Sequence, residues 1–126
     1  MAVTNITLVD APLNEAKVFA FTTPTSTTDG FEIDYAGADN RTAFLIENTA
    51  SSEGTITFKA GDAIQGVEDV VVTVAASSKA VVWIDSGFIK NVANANKGKV
   101  IAIPSATTMH LAAVHLGRLV GTTVTW

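Results

Sequence analysis

Imidazoles bind metals and carry protons at neutral pH, so the two histidines come first. His110 and His115 stand five apart in M-H-L-A-A-V-H-L. On a strand that spacing sends them to opposite faces, and on a helix it misses the i,i+4 pairing. They form no local metal site, and a metal role would need distant carboxylates. The plainer reading is two surface or interface histidines.

The carboxylates come next. Glu32 and Asp34 lie two apart in F-E-I-D-Y, near Asp29 and Asp39. On a strand both face one side, where paired carboxylates serve acid–base work or bind Ca²⁺. The plainer reading is a solvated strand face opposite Phe31, Ile33 and Tyr35. Asp62 and Glu68–Asp69 flank a turn and lack the Asp/Asn/Gly spacing of a calcium loop. A serine nucleophile needs a base and an acid around it. No G-x-S-x-G occurs, and Ser86-Gly87 reads as a tight turn between two strands. There is no G-x-G-x-x-G and no Walker loop. The chain has no cysteine, so thiolate sites and disulfides are excluded. We therefore expect no catalytic residue, no metal, no cofactor and no enzyme.

The elements that would position these residues are strands. Threonine is abundant, valine and isoleucine recur in bursts, and β-branched types suit a pleated surface. Runs of four to eight such residues are bounded by Gly, Asn, Asp, Ser or Pro. Strands are expected near Val3–Val9, Lys17–Phe21, Phe31–Tyr35, Thr42–Glu47, Gly54–Lys59, Asp69–Ala75, Ala80–Ile84, Gly87–Val92, Lys99–Ile103 and Met109–Leu116. A last one covers Val120–Thr125. Met109–Leu116 also suits a helix, but its flanks Pro104 and Gly117 favour a strand. Ala11–Ala20 carries a weak helical signal, with Pro12 in its first turn.

Alternation adds detail. Ile56 and Phe58 share one face of their strand, and Thr55, Thr57 and Lys59 the other. Trp83 lies opposite Val82, capping a sheet edge or meeting an interface. Ala43-Phe44-Leu45-Ile46 and Val70-Val71-Val72 are apolar on both faces, as in central strands or strands covered by another subunit. The three runs within Thr55–Ile84 read as a central scaffold. The expected fold is all-β: a β-sandwich or jelly-roll-like domain of about ten short, mostly antiparallel strands. A chain of 126 residues fits a single domain, 1–126. Residues 1–13 read either as an N-terminal arm or as an edge strand of the chain's own sheet.

Charge and composition narrow the function. Charged residues make up 16% of the chain, against about 25% in ordinary soluble domains. Apolar residues make up 48%. A chain this short does not easily hide that much, so part of the apolar surface is expected to meet a partner. The net charge is −4, and the eight basic residues are scattered, with only Lys97-Gly98-Lys99 close together. A nucleic-acid ligand would need a basic stripe. No run reaches the roughly 20 apolar residues that span a bilayer, and the N-terminus does not read as a secretion signal. Neither nucleic acid nor membrane is expected as a partner. Exposed tryptophan and tyrosine stack on sugars, but Tyr35, Trp83 and Trp126 are dispersed.

Residues 40–116 carry a resemblance. N-R-T-A-F-L-I-E-N-T-A-S-S-E-G-T-I-T-F-K-A-G-D is followed by G-V-E-D-V-V-V-T-V-A-A-S-S-K-A-V-V-W-I-D-S-G-F-I-K and a late apolar strand. The order resembles small head-region structural proteins of tailed bacteriophages, including capsid decoration (cement) proteins. The matching pieces are Leu45-Ile46-Glu47-Asn48-Thr49, the loop Gly61–Gly66 and the turn Ala75–Lys79. It is a likeness of pattern, without a strict motif. It implies a β-sandwich that binds the major capsid protein, stabilises the shell and forms a homo-oligomer, often a trimer. It further implies a place on the virion surface after synthesis in the bacterial cytoplasm. Function is then expected at the ends and loops, with Val3, Ile6, Leu8, Leu13 and Trp126 as interface residues. The alternatives are a tail or baseplate component, or a carbohydrate- or cell-surface-binding module.

Overall fold

The computed structural model describes residues 3–11, 16–34, 42–62, 68–84, 86–91 and 98–116. They form nine strands and one helical turn. These are β1 (Thr4–Ile6), β2 (Val9–Ala11), β3 (Phe31–Asp34), β4 (Thr42–Asn48), β5 (Gly54–Phe58), β6 (Val70–Val74), β7 (Ser78–Val82), α1 (Ser86–Ile89), β8 (Lys99–Pro104) and β9 (Met109–Leu116). The fold is all-β. One sheet has the order β1-β3-β8-β5-β6 and the other β2-β9-β4-β7. They stack as a β-sandwich. Five strand pairings are antiparallel, while β1–β3 and β2–β9 are parallel.

Alternation decides what lies between the sheets. β5 buries Ile56 and Phe58 and turns Thr55 and Thr57 outward. β3 buries Phe31 and Ile33, and β4 buries Phe44 and Ile46. Phe44 and Phe58 meet across the sandwich, ring centroids 4.7 Å apart. Met109, Leu111 and Ala113 of β9 and Val100 and Ala102 of β8 complete the layer. Burying each large side chain contributes about 1.5–3 kcal/mol, so this layer is the main source of stability.

Gly30 opens β3 at a point that needs glycine. Its φ is +65°, and a Cβ there would run into the Ala102 carbonyl and the Ile103 side chain. Its carbonyl accepts the Thr4 amide at 2.9 Å, which starts the parallel pairing of β1.

Several expectations need correction. The Val3–Val9 run is two strands in different sheets, because Leu8 and its neighbours cross between the layers. Of the two readings of residues 1–13, the described part takes the edge-strand form: β1 and β2 pair with β3 and β9 of their own chain. Residues 17–21 form no strand. The β9 edge they would need is held by β2 and by a lone bridge from Thr22 to Leu111. The described part of the Gly87–Val92 run, residues 87–91, is not a strand either. The turn α1 buries Ile89 and leaves Phe88 partly exposed, and six residues of alternation do not separate a turn from a strand. The Ala11–Ala20 helix is absent from its described part, residues 16–20. β6 and β7, read as central scaffold, are edges of the two sheets among the described residues. Of the Thr55–Ile84 runs only β5 is interior. The strand at 109–116 and the central place of β4 are as expected. The Val120–Thr125 strand lies outside the described residues.

The inward side chain of Asn48 ends the apolar row of β4 and is 1% exposed. Its Nδ2 donates to the carbonyls of Ser52, Val74 and Ala75 at 2.9, 3.2 and 3.3 Å. Its Oδ1 accepts the Ala50 amide at 3.0 Å. One carboxamide thus closes the turn after β4 and holds the end of β6, which belongs to the other sheet. Asn48→Ala should cost about 2–3 kcal/mol, since buried backbone groups lose their partner. Asn48→Asp should cost at least as much at neutral pH, because a carboxylate turns an acceptor toward three carbonyls. Urea denaturation checks both; variants as stable as the parent would contradict the clamp.

Candidate functional site

Two charged rows cross the outer faces. On the five-stranded sheet, the register sets Asn5 beside Glu32 and Asp34 beside Lys99. The Lys99 ammonium donates to Glu32 at 2.7 Å. That hydrogen bond and the Glu32 charge raise the lysine above its ordinary pKa of 10.5, with Asp34 adding a little and desolvation opposing. A shallow depression of about 270 Å³ lies over Asn5, Ile6, Thr7, Glu32, Asp34 and Lys99. Glu32 and Asp34 do share a face, but a lysine crosses between them. They therefore form an ion-paired strand face and not an empty carboxylate pair.

On the four-stranded sheet, β7, β4 and β9 line up Lys79, Glu47 and His110 in one row. Glu47 Oε2 is 3.4 Å from Lys79 Nζ, and Oε1 is 3.1 Å from His110 Nδ1. The His110 hydrogen bond is the main reason the Glu47 carboxyl sits below 4.5; the Lys79 contact adds to it and desolvation opposes. His115 takes the other parity, as expected, and is buried at a register position between Thr42 and Asp10. It is a core histidine, not a surface one. Lys59 pairs with Asp69 at 2.8 Å, and Asp69 also accepts the Ala60 amide at 2.7 Å, which pins the β5–β6 hairpin. The Lys59 hydrogen bond, then the Ala60 amide, holds Asp69 low. Among the described residues no three His, Cys, Asp or Glu side chains converge as a metal would need.

The third feature is apolar. β6 and β7 stack on the same side of the sandwich and are in contact. Val71 of β6 is 60% exposed, and Val81 of β7 and Trp83 just beyond it are 66% and 71% exposed. Val81 and Trp83 share the outward face, next to half-buried Leu45 in the adjacent strand. A smaller exposed group, Val18 and Phe19, lies in the segment before Thr22, where Phe19 meets Phe21 edge-on at 5.5 Å.

The structure scatters the sequence-derived interface residues. Val3 is 43% exposed, while Leu8 packs partly buried against the core. Ile6 is 4% exposed and pairs with Ile33 inside the sandwich, so it belongs to the chain's own core and is corrected as an interface residue. Leu13 and Trp126 lie outside the described residues. Sequence reasoning missed Val81 as a surface residue, although alternation with Trp83 carried the signal. The Lys79–Glu47–His110 row needed the strand register and had no local signal.

No family model matches the chain, and no curated protein or solved structure is detectably similar to it. No helix among the described residues is long and apolar enough to cross a membrane.

Glu47 is held low in the folded state, so its contribution to stability is present above 4.5 and lost as pH falls through its lower folded value. Glu47→Gln should therefore unfold at a lower temperature than the parent at neutral pH. The gap should close as pH falls below 4.5. Lys99 has the opposite sign: its contribution persists below 10.5 and is lost as pH rises through its raised value. Thermal melts across pH check both; a gap for Glu47→Gln that stays constant into acid would refute the assignment.

Proposed function

We propose that this chain is a non-enzymatic virion structural protein that binds and stabilises a tailed-phage capsid shell as a decoration protein. The observation that carries the reading is the exposed apolar pair of Val81 in edge strand β7 and Trp83 just beyond it, with Val71 of edge strand β6 exposed on the other outer face. Burying exposed apolar side chains of this kind against protein is favourable and needs no reacting group. The sequence pattern around Leu45-Ile46-Glu47-Asn48-Thr49 supports the same reading by resemblance.

The partner is the major capsid protein, and the chain acts as a homo-oligomer on the virion surface. Its effect on the shell is mass action: a ligand that binds only the assembled, expanded state stabilises that state. A second reading, as a carbohydrate-binding module, is favoured by one observation, the 71% exposure of Trp83, since an exposed tryptophan stacks on a sugar ring.

Mixing the purified chain with empty expanded phage capsids tests the first reading. It should co-sediment with the shells and raise their disruption temperature. Failure to pellet with them, together with glycan binding that Trp83→Ala abolishes, would establish the second reading in its place.

A further inference from the structure

The two sides of the sandwich manage their edges differently. On one side the edges are β1 and β2, three residues each. Shortness is one of the ways natural sheets blunt an edge. On the other side β6 and β7 run five residues each. Among the described residues no strand pairs with their outer edges. Val81 of β7 and Trp83 just beyond it expose two apolar side chains on one face, and β7 carries a single charge, Lys79. An open row of backbone donors and acceptors beside an apolar face is a template for another strand.

We propose that β7 pairs antiparallel with β7 of a second copy about a two-fold axis at Val81, joining the four-stranded sheets of two chains into one continuous sheet. This rests on reading the β6/β7 side as an assembly surface, and it assigns the β7 half to a second copy.

The choice of partner comes from self-complementarity. A two-fold interface sets each residue against its mirror position, so the strand must fit itself. Centring on Val81 sets valine against valine. On the same face Lys79 then lies opposite Trp83 of the second copy. An ammonium beside an indole is attractive, and no like charges face each other. On the inner face Ala80 meets Val82 of the second copy, which extends the apolar layer. Centring on Lys79 would oppose two ammonium groups. Centring on Ala80 would set each Trp83 against Ser77, which has left the strand with a φ of 53°. β6 fits itself less well, because its outward residues are Val71 and Thr73 and only the first is apolar. Tryptophan is enriched among the residues that anchor interfaces, so the two Trp83 side chains are the anchors of this pairing. The pairing gives dimers, or even-numbered assemblies, where the resemblance implies a trimer.

The chain has no cysteine, so one introduced thiol reports one contact. Directly opposed antiparallel residues have Cα atoms about 4.5–5.5 Å apart, within disulfide reach. In the full-length protein without shells, sedimentation should give a dimer. Mild oxidation should cross-link Val81→Cys into a covalent dimer and leave Val71→Cys uncross-linked. Val81→Lys opposes two ammonium groups on the axis and should weaken the dimer about tenfold or more. Val81 is exposed, so unchanged circular dichroism of that variant confirms that folding is intact. A monomer overturns the pairing, as does a trimer indifferent to Val81→Lys or cross-linking at Val71→Cys in place of Val81→Cys. A monomer that still pellets with capsids overturns the pairing alone. A Val81-linked dimer that does not pellet overturns the virion reading alone.

Discussion

A buried carboxamide at Asn48 is the point on which the two layers depend. The sandwich is otherwise held by apolar contact, which is strong but non-directional. Apolar burial fixes that the sheets face each other and leaves their offset open. Asn48 supplies direction. It stands on the inner face of β4 and reaches the main chain at the end of β6 in the opposite sheet. The same residue closes the turn that leads to β5. Nearby, Ser77 donates its amide to Ala50, and Thr49 donates its own to Thr108. Three turns from both sheets are thus tied around one side chain. A polar group this deeply buried is costly unless every partner is present, so small displacements of one layer are opposed.

The charged rows contribute differently. Lys99–Glu32, Lys59–Asp69 and Lys79–Glu47 all lie on open faces where water screens them. Their effect is on register more than on stability. A strand slipped by one residue would move Glu47 inward and Ile46 outward, so the pairs and the apolar alternation specify the same alignment. The apolar edge at β7 is the part of the surface that these rows leave uncharged, apart from Lys79 at its start.

Much of the architecture is legible from residue order. Alternation placed Ile56 and Phe58 inward, set Trp83 opposite Val82 and made β4 a central strand. It also set His110 and His115 on different faces. What it missed was neighbourhood. Val70-Val71-Val72 has the look of an interior strand, but whether a strand lies at an edge depends on which others pair with it, and valine suits either place. The resemblance puts Ile6 at an interface because it lies near an end of the chain, but its pairing with Ile33 is a contact across 27 positions of sequence. Asn48 follows the expected strand Thr42–Glu47, and nothing local marks it as buried. The candidate surface was legible in part: the apolar excess predicts apolar side chains left exposed, and Val81 and Trp83 are such residues, while their location depends on the fold.

The order in which the chain visits its two sheets has a kinetic consequence. From β1 to β9 it changes sheet at nearly every step, and only β5 and β6 are neighbours both in sequence and in the ladder. Almost every pairing therefore closes a long loop, and topologies of this kind fold slowly. The four-stranded sheet is the extreme case, because β9 lies between β2 and β4 and joins them. On a ribosome that sheet cannot form until residues 109–116 have emerged. Until then β4 and β7 can make only a two-stranded ribbon of that sheet, with the β9 edge of β4 unpaired. For this chain synthesis and folding are consecutive events, and the nascent protein is most exposed to misassociation just before its last strand arrives.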